Sequence, residues 1–96
     1  MIIAEISVVQ LGEGTSISRH VRKAVEALRG SGLTTFSGPM CTSVEASSLE
    51  EILQAVKVAH EAVVRTGAKR VVTTLKIDDR RDKSATMESK IKAVER

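Results

Sequence analysis

The sequence contains almost no aromatic residues: Phe36 is the only one among 96 residues, and tyrosine and tryptophan are absent. This shortage removes the stacking platforms on which proteins bind single-stranded nucleic acids, and it leaves no aromatic cage for a quaternary cation. The hydrophobic residues, 42% of the chain, are nearly all Ala, Val, Ile and Leu. We therefore expect a core of packed methyl groups, with Phe36 inside it.

Cysteine and long apolar runs are equally scarce. Cys41 is the single cysteine, so no disulfide can form within the chain, and a small buried residue is favoured over a reactive thiol. No apolar stretch approaches the roughly 20 residues that cross a bilayer. Residues 1–5 lack the pattern of a secretory signal. The sequence therefore predicts a cytoplasmic protein without a membrane partner.

Net charge is also small. The 15 Lys and Arg residues exceed the 12 Asp and Glu residues by three, and the two signs are interspersed along the chain. Such mixing is typical of a solvated surface, whereas nucleic-acid binding usually needs a clustered basic face. We expect no nucleic-acid partner.

Alternating apolar residues predict four β-strands, over residues 2–9, 33–37, 41–45 and 71–78. Gly38 and Pro39 separate the second strand from the third, which predicts a hairpin. In the first strand, Ile2, Ala4, Ile6 and Val8 share one side. The pattern indicates strands with one buried face each.

Helical periodicity predicts two long helices and a short one between and after these strands. Ser16 is expected to cap the first helix, Ser48 and Glu51 to form a capping box at the second, and Thr86 to cap the last. Gly30 and Gly32 are expected to end the first helix in the left-handed conformation, and Gly67 is expected to close the second helix. The inward positions of the second helix are expected to be Leu49, Ile52, Val56, Ala59 and Val63.

This order of elements predicts the α+β class: one ferredoxin-like βαββαβ domain over residues 1–96, with an antiparallel sheet, two helices on one face and a short C-terminal helix. The second sheet face is then uncovered. Strand alternation assigns to it Glu5, Ser7, Val9, Val72, Thr74 and Lys76. Such a mixed face is suited to an oligomer interface with a ligand pocket, and the alternative is a face that is merely hydrated.

Four segments together resemble the small thiamine-binding protein family, a group of uncharacterised proteins with a ferredoxin-like fold, and the resemblance covers essentially the whole chain. The segments are Ala4-Glu5-Ile6-Ser7-Val8, Gly14-Thr15-Ser16, Gly38-Pro39-Met40-Cys41-Thr42-Ser43-Val44-Glu45 and Ile77-Asp78-Asp79-Arg80-Arg81-Asp82-Lys83. The resemblance implies a homodimer or homotetramer that holds thiamine, or its hydroxymethylpyrimidine half, without changing it chemically. It implies neither an enzyme nor a resident cofactor.

The ligand contacts predicted on this basis are Ser7, Met40, Thr42, Ser43 and Glu45. Glu45 can accept a hydrogen bond from an aminopyrimidine, the three hydroxyls add neutral hydrogen bonds, and the Met40 thioether can stack on the ring. Strict alternation places Thr42 opposite Glu45, so both reach one ligand only if the strand bulges or ends there. The alternatives are a Glu45 near the start of the second helix and a Met40 that fills a gap.

Other polar residues suggest weaker hypotheses. The run from Asp78 to Asp82 is expected to form ion pairs that fix a turn, although Arg80 and Arg81 could also hold an anion. His20 and His60 lack metal-ligand spacing. Two other function classes stay open: a structural or regulatory oligomer without a ligand, and a small hydrolase or isomerase that uses Glu45 or Asp78 as a base.

Overall fold

A computed structural model describes residues 1–11 and 18–95 of the protein. The predicted cap Ser16, with the segment Gly14-Thr15-Ser16, lies outside the described residues. The elements in chain order are β1 (Ile2–Gln10), α1 (Ser18–Gly30), β2 (Thr34–Ser37), β3 (Thr42–Ala46), α2 (Leu49–Val64), β4 (Val71–Asp78) and α3 (Met87–Val94). The predicted strands and helices are confirmed, with ends that differ by one or two residues.

The four strands form one antiparallel sheet in the order β2-β3-β1-β4, which confirms the α+β class and is compatible with the ferredoxin-like fold. The two ladders on either side of β1 differ in length. With β4, β1 pairs from Ile3 opposite Asp78 to Gln10 opposite Val71. With β3, it pairs only as far as Ile6 opposite Thr42. The second half of β1 therefore has a strand on one side only.

The core lies between the sheet and the two long helices. Ala4, Ile6 and Val8 of β1 and Val44 of β3 pack in one cluster with residues of both helices, so α1 and α2 cover the same face, as predicted. The helical members of this cluster are Ala24, Leu28, Ile52, Ala55, Ala59 and Val63. A core of this composition is made of interlocked aliphatic groups, each of which contributes by removing its surface from water.

The first turn of α2 differs from the prediction. Leu49 is exposed, and Ala55 is buried in addition to Ile52. The sheet ends beneath this turn, because Ile2 opposite Ala46 is the last pair of β1 with β3, so Leu49 has no strand to pack against.

The cap of α2 is only half of the predicted box. The Ser48 hydroxyl accepts the Glu51 N–H at 3.3 Å. The Glu51 carboxylate, however, accepts from the hydroxyls of Ser47, at 2.7 Å, and Ser48, at 3.0 Å. Gly32, after α1, and Gly67, after α2, have positive φ angles of 85° and 94°, which confirms the left-handed conformation predicted for Gly32. Gly30 has no positive φ and is instead the last residue of α1.

Helix α3 lies on the other face of the sheet and corrects the expectation that this face is uncovered. Thr86 and Ser89 form a reciprocal capping box at its start. The Glu45 carboxylate accepts the Met87 N–H at 2.8 Å, and Lys90 Nζ lies 2.6 Å from the Asp78 carboxylate. These contacts place α3 over the end of the sheet that holds Glu45 and Asp78, and they leave the opposite end of this face, at Val9 and Val72, open.

The packing of α2 gives a direct test of the core. Replacing Ile52, which is 0% exposed, with Ala removes buried methyl groups and leaves a cavity. We expect Ile52→Ala to lower the free energy of unfolding by about 2–5 kcal/mol in urea titrations. The matched control is Leu53→Ala, one position along and 48% exposed, which should change it by about 0.5 kcal/mol or less. Equal effects of the two variants would contradict the assigned helix face.

Candidate functional site

The structure divides the five predicted contact residues into two groups. Ser7, Met40 and Thr42 line one cavity of about 190 Å³ between α1, β1 and the β2–β3 hairpin, hereafter the strand-gap cavity. Ser43 and Glu45 line hollows beside α3 on the other face of the sheet, where Phe36, Met87 and Ile91 are shared lining residues. Thr42 is buried on the helix side, and no bulge of β3 brings it together with Glu45.

The strand-gap cavity reaches the bare edge of β1. Residues 6–9 all line it, although consecutive side chains of a strand point to opposite faces. Cys41 and Thr42 likewise line it from opposite faces. A cavity that touches both sets must reach the backbone between them. The cavity therefore occupies the gap that opens where β3 stops pairing with β1.

The helix side of this cavity is apolar. Val21, Ala24, Val25 and Leu28 of α1 form its wall, because the helical period places these four residues toward the sheet. Among the described residues, the polar groups of the cavity come from the sheet and the hairpin and include Ser7, Ser37 and Thr42. An apolar wall with a few converging polar groups is typical of a small-molecule site.

The hairpin turn supplies the outer rim. The Gly38 N–H donates to the Cys41 carbonyl at 2.9 Å and closes the turn. Met40 projects from its tip with 86% of its surface exposed, so it does not fill a gap in the core, which was one of its two sequence interpretations. Its thioether lies at the cavity rim, where it is available to a planar ring.

Glu45 has a structural partner. Its carboxylate accepts the backbone N–H of Met87 and satisfies one of the free donors at the start of α3. The sequence interpretation placed Glu45 near the start of the second helix. In the structure its carboxylate instead binds the start of α3. Phe36 also faces this side and is exposed, which corrects its predicted place in the core. The edge position of β2 leaves its ring without a covering layer.

The acidic and basic run after β4 forms ion pairs, as predicted. The Arg80 guanidinium donates to Asp82 at 2.6 Å, and Arg81 donates to Asp79 at 3.0 Å. The hydrogen bond from Lys90 holds the pKa of Asp78 below its ordinary value, which makes this carboxylate a weaker base. Both arginines are thus engaged within the turn.

The histidines also have local partners. His20 Nδ1 lies 2.7 Å from the Thr66 hydroxyl, and His60 Nδ1 lies 2.6 Å from the Thr73 hydroxyl. Within residues 1–11 and 18–95, no three His, Cys, Asp or Glu side chains are grouped to hold a metal ion. In the same ranges, no helix has both the length and the apolar character to cross a membrane.

Cys41 lies at the mouth of the strand-gap cavity. Its Sγ is 3.5 Å from the Glu5 carboxylate on the neighbouring strand. Burial raises the pKa of the Cys41 thiol, and the hydrogen bond and negative charge of Glu5 raise it further. A thiol with a raised pKa is a poor nucleophile at neutral pH. The sequence interpretation favoured a small buried residue, whereas Cys41 is only partly buried.

One buried polar residue was missed by the sequence analysis. Gln10, the last residue of β1, is buried, and its carboxamide nitrogen and oxygen have no hydrogen-bond partner among the described residues. Its position continues the alternation of Ile2, Ala4, Ile6 and Val8, so extending the predicted strand by one residue would have placed it on the core side. An unpaired buried amide costs about 1–3 kcal/mol.

The surroundings of Cys41 give a pH-dependent test. Because its pKa is raised, we expect the rate of reaction with an aromatic disulfide reagent to reach its midpoint at a higher pH than for free cysteine. Glu5→Gln should move this midpoint down without reaching the value for free cysteine, because burial, the largest single cause of the raised pKa, remains. The control Glu50→Gln, on α2, should leave it in place. A midpoint at or below that of free cysteine in the unaltered protein would contradict this assignment.

Comparison with known proteins assigns the chain to a family. The sequence profile of the thiamine-binding protein family matches residues 4–95. A UPF0045 protein of Methanothermobacter thermautotrophicus is 47% identical over 95 residues, which cover 98% of this chain and 96% of that protein.

Solved structures agree with this assignment. The hypothetical protein MJ1052 of Methanocaldococcus jannaschii superposes with a TM-score of 0.90 at 42% identity, over 98% of this chain and 95% of that one. A Thermotoga maritima protein, named as a candidate for thiamine biosynthesis or salvage, gives a TM-score of 0.81 at 29% identity, over 97% of each chain. The sequence resemblance is thus confirmed, and the chain belongs to the thiamine-binding protein family.

Proposed function

We propose that the protein binds thiamine, or its hydroxymethylpyrimidine half, as a noncatalytic homo-oligomer in the cytoplasm. Membership of the thiamine-binding protein family supports a small-molecule partner of this kind. The observation that carries the proposal is the strand-gap cavity, because it brings together Ser7, Met40 and Thr42, three residues predicted to contact the ligand. Ser43 and Glu45 remain proposed contacts for a part of the ligand that extends toward α3.

The size of the cavity favours the pyrimidine half as the enclosed part. Its volume is about 190 Å³. Pockets that enclose a drug-sized ligand have volumes of about 300–1,000 Å³. A single substituted pyrimidine ring is small enough for this space, whereas the two rings of thiamine together need room outside it. In this proposal the thiazolium ring lies at the mouth.

The environments of the three candidate reactive groups, of which only Cys41 lines the strand-gap cavity, support a noncatalytic role. The raised pKa of Cys41 disfavours its thiolate, and the lowered pKa of Asp78 makes that carboxylate a weaker base. Glu45, the other base considered from sequence, is engaged with the start of α3. None of these three environments produces an activated nucleophile or base.

The open end of the second sheet face supports self-association. Val9 on β1 lies opposite Val72 on β4, and Ser7 lies opposite Thr74, so these four residues share one sheet face, as strand alternation predicts. β4 is also an edge strand with a free row of backbone donors and acceptors. A second copy of the chain would cover the valines, and the absence of α3 at this end leaves room for it.

Binding is tested by calorimetric titration with thiamine and with hydroxymethylpyrimidine. We expect saturable heat with both ligands. Val21→Phe places a ring in the cavity from the α1 wall and should weaken binding at least about tenfold. The control Val58→Phe, on α2 and outside the cavity, should bind as the unaltered protein does. No heat with either ligand would refute the proposal.

A second candidate function is a structural oligomer without a small-molecule ligand. The capping contact of Glu45 with α3 favours it, because this contact gives the carboxylate a structural role that needs no ligand. The same titration separates the two functions: an oligomer that persists while neither ligand produces heat identifies the structural role.

The oligomer interface is tested by one substitution on each side of the molecule. Val72→Lys adds a charge to the open sheet face, where Val72 is 42% exposed, and should convert the oligomer to monomer in light scattering. Val64→Lys adds the same charge at the end of α2, where Val64 is 46% exposed, and should leave the oligomer intact. A monomeric unaltered protein at high concentration would overturn this part of the proposal.

A further inference from the structure

Cations are gathered at one corner of the helix layer. Residues 18–30 and 61–70 carry seven Lys and Arg side chains and two carboxylates, a net charge of +5 that exceeds the +3 of the whole chain. The rest of the chain is therefore net negative. The two signs are interspersed along the sequence, but the fold separates them in space. Six exposed cations form this corner, hereafter the basic corner: Arg19, Arg22, Lys23, Arg65, Lys69 and Arg70.

The fold itself brings the two cationic segments together. Because β1 and β3 are antiparallel, the helices that follow them run in opposite directions, and the start of α1 meets the end of α2. His20 Nδ1 lies 2.7 Å from the Thr66 hydroxyl and joins the start of α1 to the turn after α2. The Leu11 N–H donates to the Arg70 carbonyl at 2.9 Å and fixes this turn beside the end of β1.

Carboxylates neutralise little of the charge at the basic corner. In the closer of its two ion pairs, Arg65 lies 3.5 Å from Glu61, and both side chains are exposed to solvent. Exposed pairs of this kind are weak. Within residues 1–11 and 18–95, Arg19, Arg22 and Arg70 form no ion pair. The corner therefore presents a net positive surface to the solvent.

Helix stability does not explain the cations at the start of α1. Arg19 lies in the first turn of this helix, and no acidic residue is present in that turn. The first turn of a helix carries a partial positive charge, so a cation there is unfavourable and a carboxylate is favourable. An anionic partner would compensate for this placement, which the helix alone does not favour.

Exposed aliphatic side chains lie beside these cations. Leu11, whose N–H binds the Arg70 carbonyl, is 40% exposed, and Val64, the last residue of α2, is 46% exposed. Aliphatic groups gain free energy at the acyl boundary of a bilayer, whereas a nucleic-acid backbone attracts cations only. Phe36 lies on the other face of the sheet, so the corner also lacks a ring on which bases could stack.

We propose that the basic corner binds the surface of an anionic lipid bilayer, with Leu11 and Val64 entering the interface among the cations. The positive charge complements the phosphate headgroups, and each Lys or Arg near an anionic surface adds to the attraction. The corner lies on the helix layer, away from the sheet face at which self-association is proposed, so it stays accessible in the oligomer. The proposal concerns where the protein is held and is independent of its ligand.

Lipid binding is tested by flotation of the protein with vesicles. We expect it to float with vesicles of equal parts phosphatidylglycerol and phosphatidylcholine, and to stay at the bottom of the gradient with phosphatidylcholine alone. Raising the salt concentration from about 0.05 M to about 0.5 M should lower the affinity for the mixed vesicles at least about tenfold, because salt screens exposed charges.

The contribution of the corner is tested with two double variants of equal charge. Arg19→Gln with Arg70→Gln should lower the affinity for the mixed vesicles at least about tenfold. Lys83→Gln with Lys92→Gln removes the same charge outside the corner and should bind nearly as the unaltered protein does. Val64→Ser should weaken binding by about two- to fivefold and leave its salt dependence unchanged, since it removes an apolar contact only. Thermal unfolding of each variant checks that the fold is retained.

A short DNA duplex serves as the competing polyanion. Flotation with the mixed vesicles that depends on Arg19 and Arg70, but not on Lys83 and Lys92, supports the proposal. Failure to float with these vesicles overturns it, and so do equal affinities of the two double variants. Binding of the duplex without binding of the vesicles also overturns it and assigns the corner to nucleic acid.

Discussion

The unequal pairing of β1 is the constraint on which the site depends. Eight residue pairs join β1 to β4, but only five join it to β3. Because Gly38 and Cys41 close the hairpin turn, β3 begins at Thr42 and cannot extend alongside the rest of β1. The sheet is complete at one end and split at the other. Helix α1 covers the split from one side with the aliphatic side chains of Val21, Ala24, Val25 and Leu28.

The second sheet face is shared between two uses. At the end of the sheet away from the strand-gap cavity, α3 is fixed by the Glu45 carboxylate and by the ion pair of Lys90 with Asp78. At the other end, Val9 and Val72 remain available for a second copy. A ferredoxin-like sheet offers one free face, and here a single short helix decides which part of it is sealed within the chain. The open part adjoins the mouth of the strand-gap cavity.

Much of the fold was predictable because it depends on local patterns. Alternation located β4 at residues 71–78, and the cap at Thr86 located the start of α3. The position of α3 was not predictable, because the contact of Glu45 with Met87 joins residues 42 apart and leaves no period in the sequence. The same limit applies to the site. Alternation predicted that Thr42 and Glu45 face opposite ways, but the gap between strands follows from a register that no single segment encodes.

A split sheet has a mechanical consequence. The β2–β3 hairpin is tied to β1 over a short ladder, so it is the part of the sheet with the fewest rungs to break when the native state opens locally. A ligand in the strand-gap cavity, as proposed above, would contact both β1 and the hairpin. Ligand binding would then stabilise the hairpin against local opening. Occupancy of the site would therefore change the rigidity of the strands that border the open face. Occupancy of the site would thus affect the surface at which we propose that a second subunit binds.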